Sequence, residues 1–236
     1  MYSCFRLKRL LAAAAALLVL IGAGFALIPV FAENSPEPPV SLPVIMYHSV
    51  CEKEPSAYTV TPEQLESDLA WLSGHGYRTV TAEQLIGYTR GVGQLPEKPV
   101  LITFDDGFYN NLSLALPLLE RYDMTALVSI VGRYTDDYAA ADPHADSYSY
   151  LTWEDISDLL ASGRIEIGSH TYDLHSDTVR KGCARLPEET VEDYSSMLSA
   201  DVGLLSTELR LHCGVSPRCL CLSLRLALSR EPAGAP

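Results

Sequence analysis

Positive charge is scarce in this chain. Seventeen lysines and arginines stand against 30 aspartates and glutamates, a formal net charge of −13. So acidic a body argues against nucleic acid or anionic lipid as a partner. No cysteine pair stands at CxxC spacing, which argues against a zinc finger or ribbon, and Cys219 and Cys221 are too close together for one. The six cysteines (Cys4, Cys51, Cys183, Cys213, Cys219, Cys221) form no disulfide framework. A Cys51–Cys183 bridge stays open for a protein outside the cell, with two free thiols as the default. Acid is missing altogether before Glu33, and Arg6, Lys8 and Arg9 precede an apolar run from Leu10 to Phe31. That pattern reads as an export signal or a membrane anchor. Val30-Phe31-Ala32 offers small residues for a signal peptidase, whereas about 22 apolar residues also suffice to span a bilayer. Either reading puts the rest of the chain outside the cytoplasm. The first 32 residues hold three bases and no acids, so without them the net charge becomes −16.

One stretch organises the remainder: Val100-Leu101-Ile102-Thr103-Phe104-Asp105-Asp106-Gly107-Phe108. A continuous apolar, β-prone run is how a parallel strand covered on both faces reads. It ends in two carboxylates, so Asp105 and Asp106 are expected at a strand's C-terminal end, where α/β folds place their chemistry. Neighbouring carboxylates repel and call for a cation or a shared proton. On an extended chain their side chains diverge, so one can face a metal and the other a water. A turn leading to a helix N-cap accounts for the same letters without any chemistry.

The pattern recurs in Ile165-Glu166-Ile167-Gly168-Ser169-His170-Thr171-Tyr172-Asp173-Leu174-His175. Histidines five apart do not share a helix face, which uses i and i+4. In a strand-end loop the two imidazoles can converge. Two histidines and one carboxylate with open positions make a catalytic divalent-metal site, zinc first among the candidates.

Thr103-Phe104-Asp105-Asp106-Gly107 and Ser169-His170-Thr171-Tyr172-Asp173-Leu174-His175 resemble the first two motifs of the polysaccharide deacetylases, the NodB-homology family 4 carbohydrate esterases. Pro43-Val44-Ile45-Met46-Tyr47-His48-Ser49-Val50 is similar to the opening strand of the poly-N-acetylglucosamine deacetylase branch. The resemblance runs from about Leu42 to about Val215. It implies that Asp106, His170 and His175 bind the metal, that Asp105 is the general base and that His48 is the general acid. Asp173 would then orient a ligating imidazole or be a plain loop residue. The implied activity is metal-dependent de-N-acetylation of an extracellular N-acetylglucosamine polymer, either biofilm polysaccharide or peptidoglycan, by a monomer that meets the membrane only through its N-terminus. The competing expectation is a truncated, catalytically impaired carbohydrate-binding remnant.

Taken in order, residues 1–32 are the signal or anchor and Glu33 to Ser41 is a Pro-rich linker. Val44 to His48 is the first strand. Thr61-Pro62-Glu63-Gln64 is a capping box opening a helix to Ser73 with Leu65, Leu69 and Leu72 inside. Tyr77 to Val80 is a strand, and Thr81-Ala82-Glu83-Gln84 caps a second helix. Leu112, Leu116 and Leu119 line a helix ending near Arg121, and Met124 to Val131 is a strand. Trp153 to Ala161 is a helix and Ile165 to Gly168 a strand. Glu188 to Leu209 is a long helix with Tyr194, Leu198, Val202 and Leu205 on its apolar side. Strands alternating with helices predict an α/β fold with a parallel sheet. The resemblance makes it a distorted (β/α)7-type barrel, incomplete at the C-terminus and preceded by an N-terminal apolar helix.

Between Arg133 and Tyr150 lies a polar insertion with Tyr134, Tyr138, Tyr148 and Tyr150. It is expected on the active-site rim as a solvated loop, with sugar stacking as the alternative, and His144 as a loop residue and not a ligand. After Val215 nothing resembles the family, and residues 216–236 read as an aberrant tail. Under one choice of synonymous codons, Cys219 to Leu226 read one base later becomes Ala-Cys-Ala-Tyr-Pro-Phe-Gly, the kind of segment the family carries there. A frameshift and a naturally short chain both stay open. Either leaves two sheet edges bare, so low stability and weak activity are expected.

Overall fold

The computed structural model describes residues 40–52, 57–141, 144–176, 178 and 180–222. The signal or anchor, most of the linker and the end of the tail lie outside the described residues. Among those described, no helix is long and apolar enough to cross a membrane. Every element below belongs to the unit Ser41–Pro236.

Strand β1 (Val44–Tyr47) is followed by two short strands, β2 (Ser49–Val50) and β3 (Thr59–Val60), which pair with each other in parallel. Helix α1 (Pro62–Gly74) starts where expected. The Thr61 hydroxyl accepts from Gln64 N, the Gln64 side chain answers to Thr61 N, and Leu65, Leu69 and Leu72 are buried. Strand β4 (Arg78–Thr79) leads to helix α2 (Ala82–Thr89), opened by a second capping box from Thr81. Strand β5 (Pro99–Phe104) is buried at all six positions, as an apolar run without alternation requires. A single π-type turn (Asn111–Ala115) runs into helix α3 (Leu116–Arg121). Strand β6 (Ala126–Ile130) is also wholly buried, and helix α4 (Gly132–Ala141) follows it directly. Helix α5 (Trp153–Ala161), strand β7 (Ile165–Ser169) and the long helix α6 (Val191–Cys213) complete the set.

The main sheet is parallel, in the order β1-β5-β6-β7, with β4 pairing to the first two residues of β5. Ile102, Phe104, Val128 and Ile130 meet Leu65, Leu69, Ile156 and Leu159 in one core, which Leu205 and Leu209 of α6 close. The parallel α/β fold expected from the alternation of elements is therefore present. Parallel strands end on one side, so the C-terminal ends of β1, β5 and β7 deliver His48, Asp105, Asp106 and His170 to one place.

Three expectations need correction. The stretch after Arg133 is not a loop but helix α4. Tyr134 and Tyr138 are four apart and share a helix face, a spacing that a reading centred on polarity passes over. The long helix is capped by Thr190, not opened at Glu188, and it runs on to a left-handed Gly214. Its deepest residues are Leu205 and Leu209, while Tyr194, Leu198 and Val202 are only half-buried. The tail does not leave the sheet edge bare along its whole length. Leu220 pairs in parallel with Ser169, with Ser169 N donating to Cys219 O at 3.0 Å and Cys221 N to Ser169 O at 2.8 Å. Its β-prone Cys-Leu-Cys run supplies the backbone partners that the end of β7 lacks. Cys51 and Cys183 are both free thiols.

Candidate active site

The last ladder bond of β5 is Asp105 N to Tyr47 O at 2.9 Å. The chain then leaves the extended conformation. Asp106 (φ 72°) and Gly107 (φ 74°) are both left-handed. Aspartate is among the few side chains that tolerate this region. Glycine is required next to it, because a Cβ at Gly107 would sit 2.9 Å from Ile130 Cγ2. The two carboxylates diverge through this turn, not through strand alternation as the sequence suggested.

His170 follows β7, its N–H bonded to Ile130 O at 2.9 Å and its side chain buried. Its Nδ1 stands 2.8 Å from Cys221 O. A carbonyl only accepts, so Nδ1 carries the proton and Nε2 presents a lone pair. Thr171 then adopts φ 76°, a costly conformation for a β-branched residue. Its neighbours hold it there: Thr171 N donates to Ser169 Oγ at 3.2 Å, and Leu174 N to Thr171 Oγ1 at 3.1 Å. From α6, Asp201 accepts both Tyr172 N (2.7 Å) and Asp173 N (2.9 Å). Folded back in this way, the loop returns His175 beside His170, ring centroids 4.9 Å apart.

The structure brings Asp106, His170 and His175 together, with one potential ligand atom from each lying within 4.8 Å of the others. His175 Nε2 approaches Asp106 Oδ1 at 3.0 Å and His170 Nε2 at 3.5 Å. Asp106 Oδ1 is nevertheless buried without a hydrogen bond of good geometry. A lone pair from His170 directed at a buried carboxylate oxygen is repulsive unless a cation lies between them. Two imidazoles and a carboxylate are also the donor set of divalent transition metals, so these residues fit such an ion. Burial pushes Asp106 up, but the His175 imidazole outweighs it and holds the carboxyl below its usual range. That contact raises His175 in turn, while burial pushes His170 down. Burial likewise pushes Asp105 up, against the pull of His170 and His48.

His48 is half-buried, its ring edge-on to Tyr58 at 5.3 Å. Two amides that the sequence reading passed over fix its backbone. Asn111 Nδ2 donates to His48 O at 2.9 Å. Asn110, fully buried, accepts from Val50 N at 2.9 Å and donates to Ser49 Oγ at 2.9 Å. Their one local signal is an Asn-Asn pair just after the Asp-Asp-Gly turn.

Asp173 contacts neither histidine. It is exposed and pairs with Arg133 at 3.5 Å, because the turn that carries it is anchored on Asp201 and points its side chain outward. The groups placed on the imidazoles are instead Cys221 O and, 3.3 Å from His175 Nδ1, the Tyr134 hydroxyl. Tyr134 is seated by Tyr150, ring centroids 4.5 Å apart, and Tyr150 stacks on Phe108 at 4.8 Å. His144 lies in the loop after α4 and pairs with Asp155 at 3.1 Å.

Two outcomes follow from these supports. Tyr134→Phe should weaken zinc binding by the metal-free chain roughly 10–100-fold, the usual effect of losing a group that orients a ligand. Calorimetric titration checks this, and an unchanged affinity refutes the orienting role. Asp201→Ala leaves two backbone donors without their charged acceptor, a loss of about 1.5–3 kcal/mol. Urea denaturation reads the cost, and a change near zero would mean that the loop holds its shape unaided.

Residues 92–204 match the polysaccharide deacetylase family model. A poly-β-1,6-N-acetyl-D-glucosamine N-deacetylase of Escherichia coli (strain K12) is 29% identical over 60% of this chain and 22% of its own length. The chain spans between about a fifth and under half of the length of the curated relatives it matches, 22% to 44%. Among solved structures, a de-N-acetylase from Aggregatibacter actinomycetemcomitans superposes with a TM-score of 0.64 at 27% identity, over 77% of this chain and 78% of that one. IcaB from Ammonifex degensii superposes with a TM-score of 0.64 at 28% identity, over 77% and 73%. The matched segment contains both strands that end in the clustered Asp106 and His170, and the two solved deacetylases share the fold over 77% of the chain: residues 92–204 form a segment similar to the polysaccharide deacetylase domain.

Proposed function

We propose that this chain hydrolyses the N-acetyl groups of an N-acetylglucosamine-containing polysaccharide, either poly-N-acetylglucosamine or peptidoglycan. It does so as a monomer outside the cytoplasm, with a divalent cation, zinc first among the candidates, held by Asp106, His170 and His175. The observation that carries this reading is the buried Asp106 Oδ1, faced by two imidazole nitrogens and satisfied by neither, within the segment that matches the family. The extracytoplasmic address rests on the basic, acid-free, apolar start of the sequence. Residues 1–32 serve as signal or anchor, 33–41 as linker and 42–215 as the catalytic domain.

When bound, the cation supplies Lewis acidity to the acetamide carbonyl and lowers the pKa of water. The remaining work falls to the chain. Asp105, buried beside the metal group but outside it, accepts the proton of the attacking water. His48, across the strand ends, donates a proton to the departing amine. Asn111 and Tyr58 restrict where that imidazole can sit. Acetate release from a β-1,6-linked N-acetylglucosamine oligomer is the test. Release should stop with a chelator and return with zinc, and a zinc-loaded, folded chain that frees no acetate overturns the proposal.

A further inference from the structure

Beneath the site, the chain after α6 brings two thiols to the inside of the sheet. Cys219 and Cys221 flank the residue that pairs with Ser169, held by the two backbone bonds of that bridge. Residues two apart on an extended chain face the same side. Both cysteines pack against the cluster of Val80, Leu101 and Leu127. A third group borders the same space. Ser129 is fully buried, and its hydroxyl makes no hydrogen bond of good geometry. Gly168 keeps the space open, since a Cβ there would lie 3.0 Å from Ser129 Oγ and 3.3 Å from Cys219 Sγ. A cleft beside Cys219, lined in part by Ala82, Leu160, Glu166 and Arg218, gives access from outside.

We propose that Cys219 and Cys221, with the Ser129 hydroxyl beside them, form a second cation site that takes a soft, thiophilic ion of the copper(I) type. Thiolate pairs select such ions over the harder cations suited to carboxylate and imidazole. A disulfide is the poorer use of the pair. Same-face neighbours on a strand are about 6.7 Å apart at Cα, close to the longest span a disulfide bridges. Nor does the site depend on the deacetylase reading, because its donors are separate from Asp106, His170 and His175. The Cys221 carbonyl on His170 links the two sites.

Copper(I) presented to the reduced full-length chain as its coloured bicinchoninate complex tests the site. The parent chain and Asp106→Asn should both withdraw copper. Cys219→Ser and Cys221→Ser should withdraw it at least tenfold more weakly, while Cys183→Ser and Cys213→Ser behave as the parent. Phenylarsine oxide gives a check on the parent chain that needs no variant. Its arsenic forms two As–S bonds with a close dithiol and releases water without any change of oxidation state. Peptide mapping should find the adduct on the Cys219–Cys221 peptide. An adduct elsewhere or none, or serine variants that hold copper as the parent does, overturns the site.

Discussion

Asp106→Asn should empty the metal centre while leaving the fold intact. Asparagine tolerates the left-handed conformation at φ 72° nearly as well as aspartate, so the turn into Gly107 survives. What disappears is the negative charge between His170 and His175. Without it the centre has two neutral imidazoles and a weak amide oxygen, a poor match for a hard divalent ion. The chemistry loses several kcal/mol of charge stabilisation, on the order of 10³-fold in turnover. Elemental analysis after dialysis should find the metal in the parent and none in the variant, with acetate release falling in step. A variant that keeps both metal and turnover refutes the ligand assignment. Asp106→Ala is the less informative change, because alanine at a positive φ adds about 1–2 kcal/mol of backbone strain to the loss of charge.

Asp105→Asn should do the opposite to metal and the same to activity. Metal content should be retained, since Asp105 lies outside the clustered ligand atoms. Turnover should fall about 10²–10⁴-fold, the usual worth of a positioned general base. Stability should not fall with it. Burial raises the Asp105 carboxyl above its ordinary value, so the folded state holds its proton to higher pH than the unfolded state does. The penalty is therefore absent below the ordinary carboxylate range and grows as pH rises toward the raised value. In the metal-free chain, Asp105→Asn should match or exceed the parent in stability at neutral pH and lose that advantage in acid. Denaturation at the two pH values reads the sign, and a variant less stable at neutral pH would mean that the carboxylate is structurally required.

Much of this was legible in one dimension. Two capping boxes and the β-prone, mostly apolar runs of β5 and β6 are local codes, and each produced the element it specifies. The polar letters at two strand ends pointed to two histidines and a carboxylate on one side of a parallel sheet, and the family resemblance singled out Asp106, His170 and His175. Helix α4 was legible too, in the spacing of Tyr134 and Tyr138, but its polarity read more loudly than its period. By itself, then, the sequence determined the parallel α/β class and the position of most elements, and through the resemblance it marked the three side chains that cluster. Only the tertiary structure decided how those side chains are held. Cys221 O fixes the His170 tautomer from 51 residues away, Tyr134 reaches His175 from 41, and Asp201 ties down the loop from 28 and 29. A backbone carbonyl, a lone hydroxyl and a mid-helix carboxylate have no periodicity and no local partner. Their roles arise from contacts that exist only once distant segments have packed together.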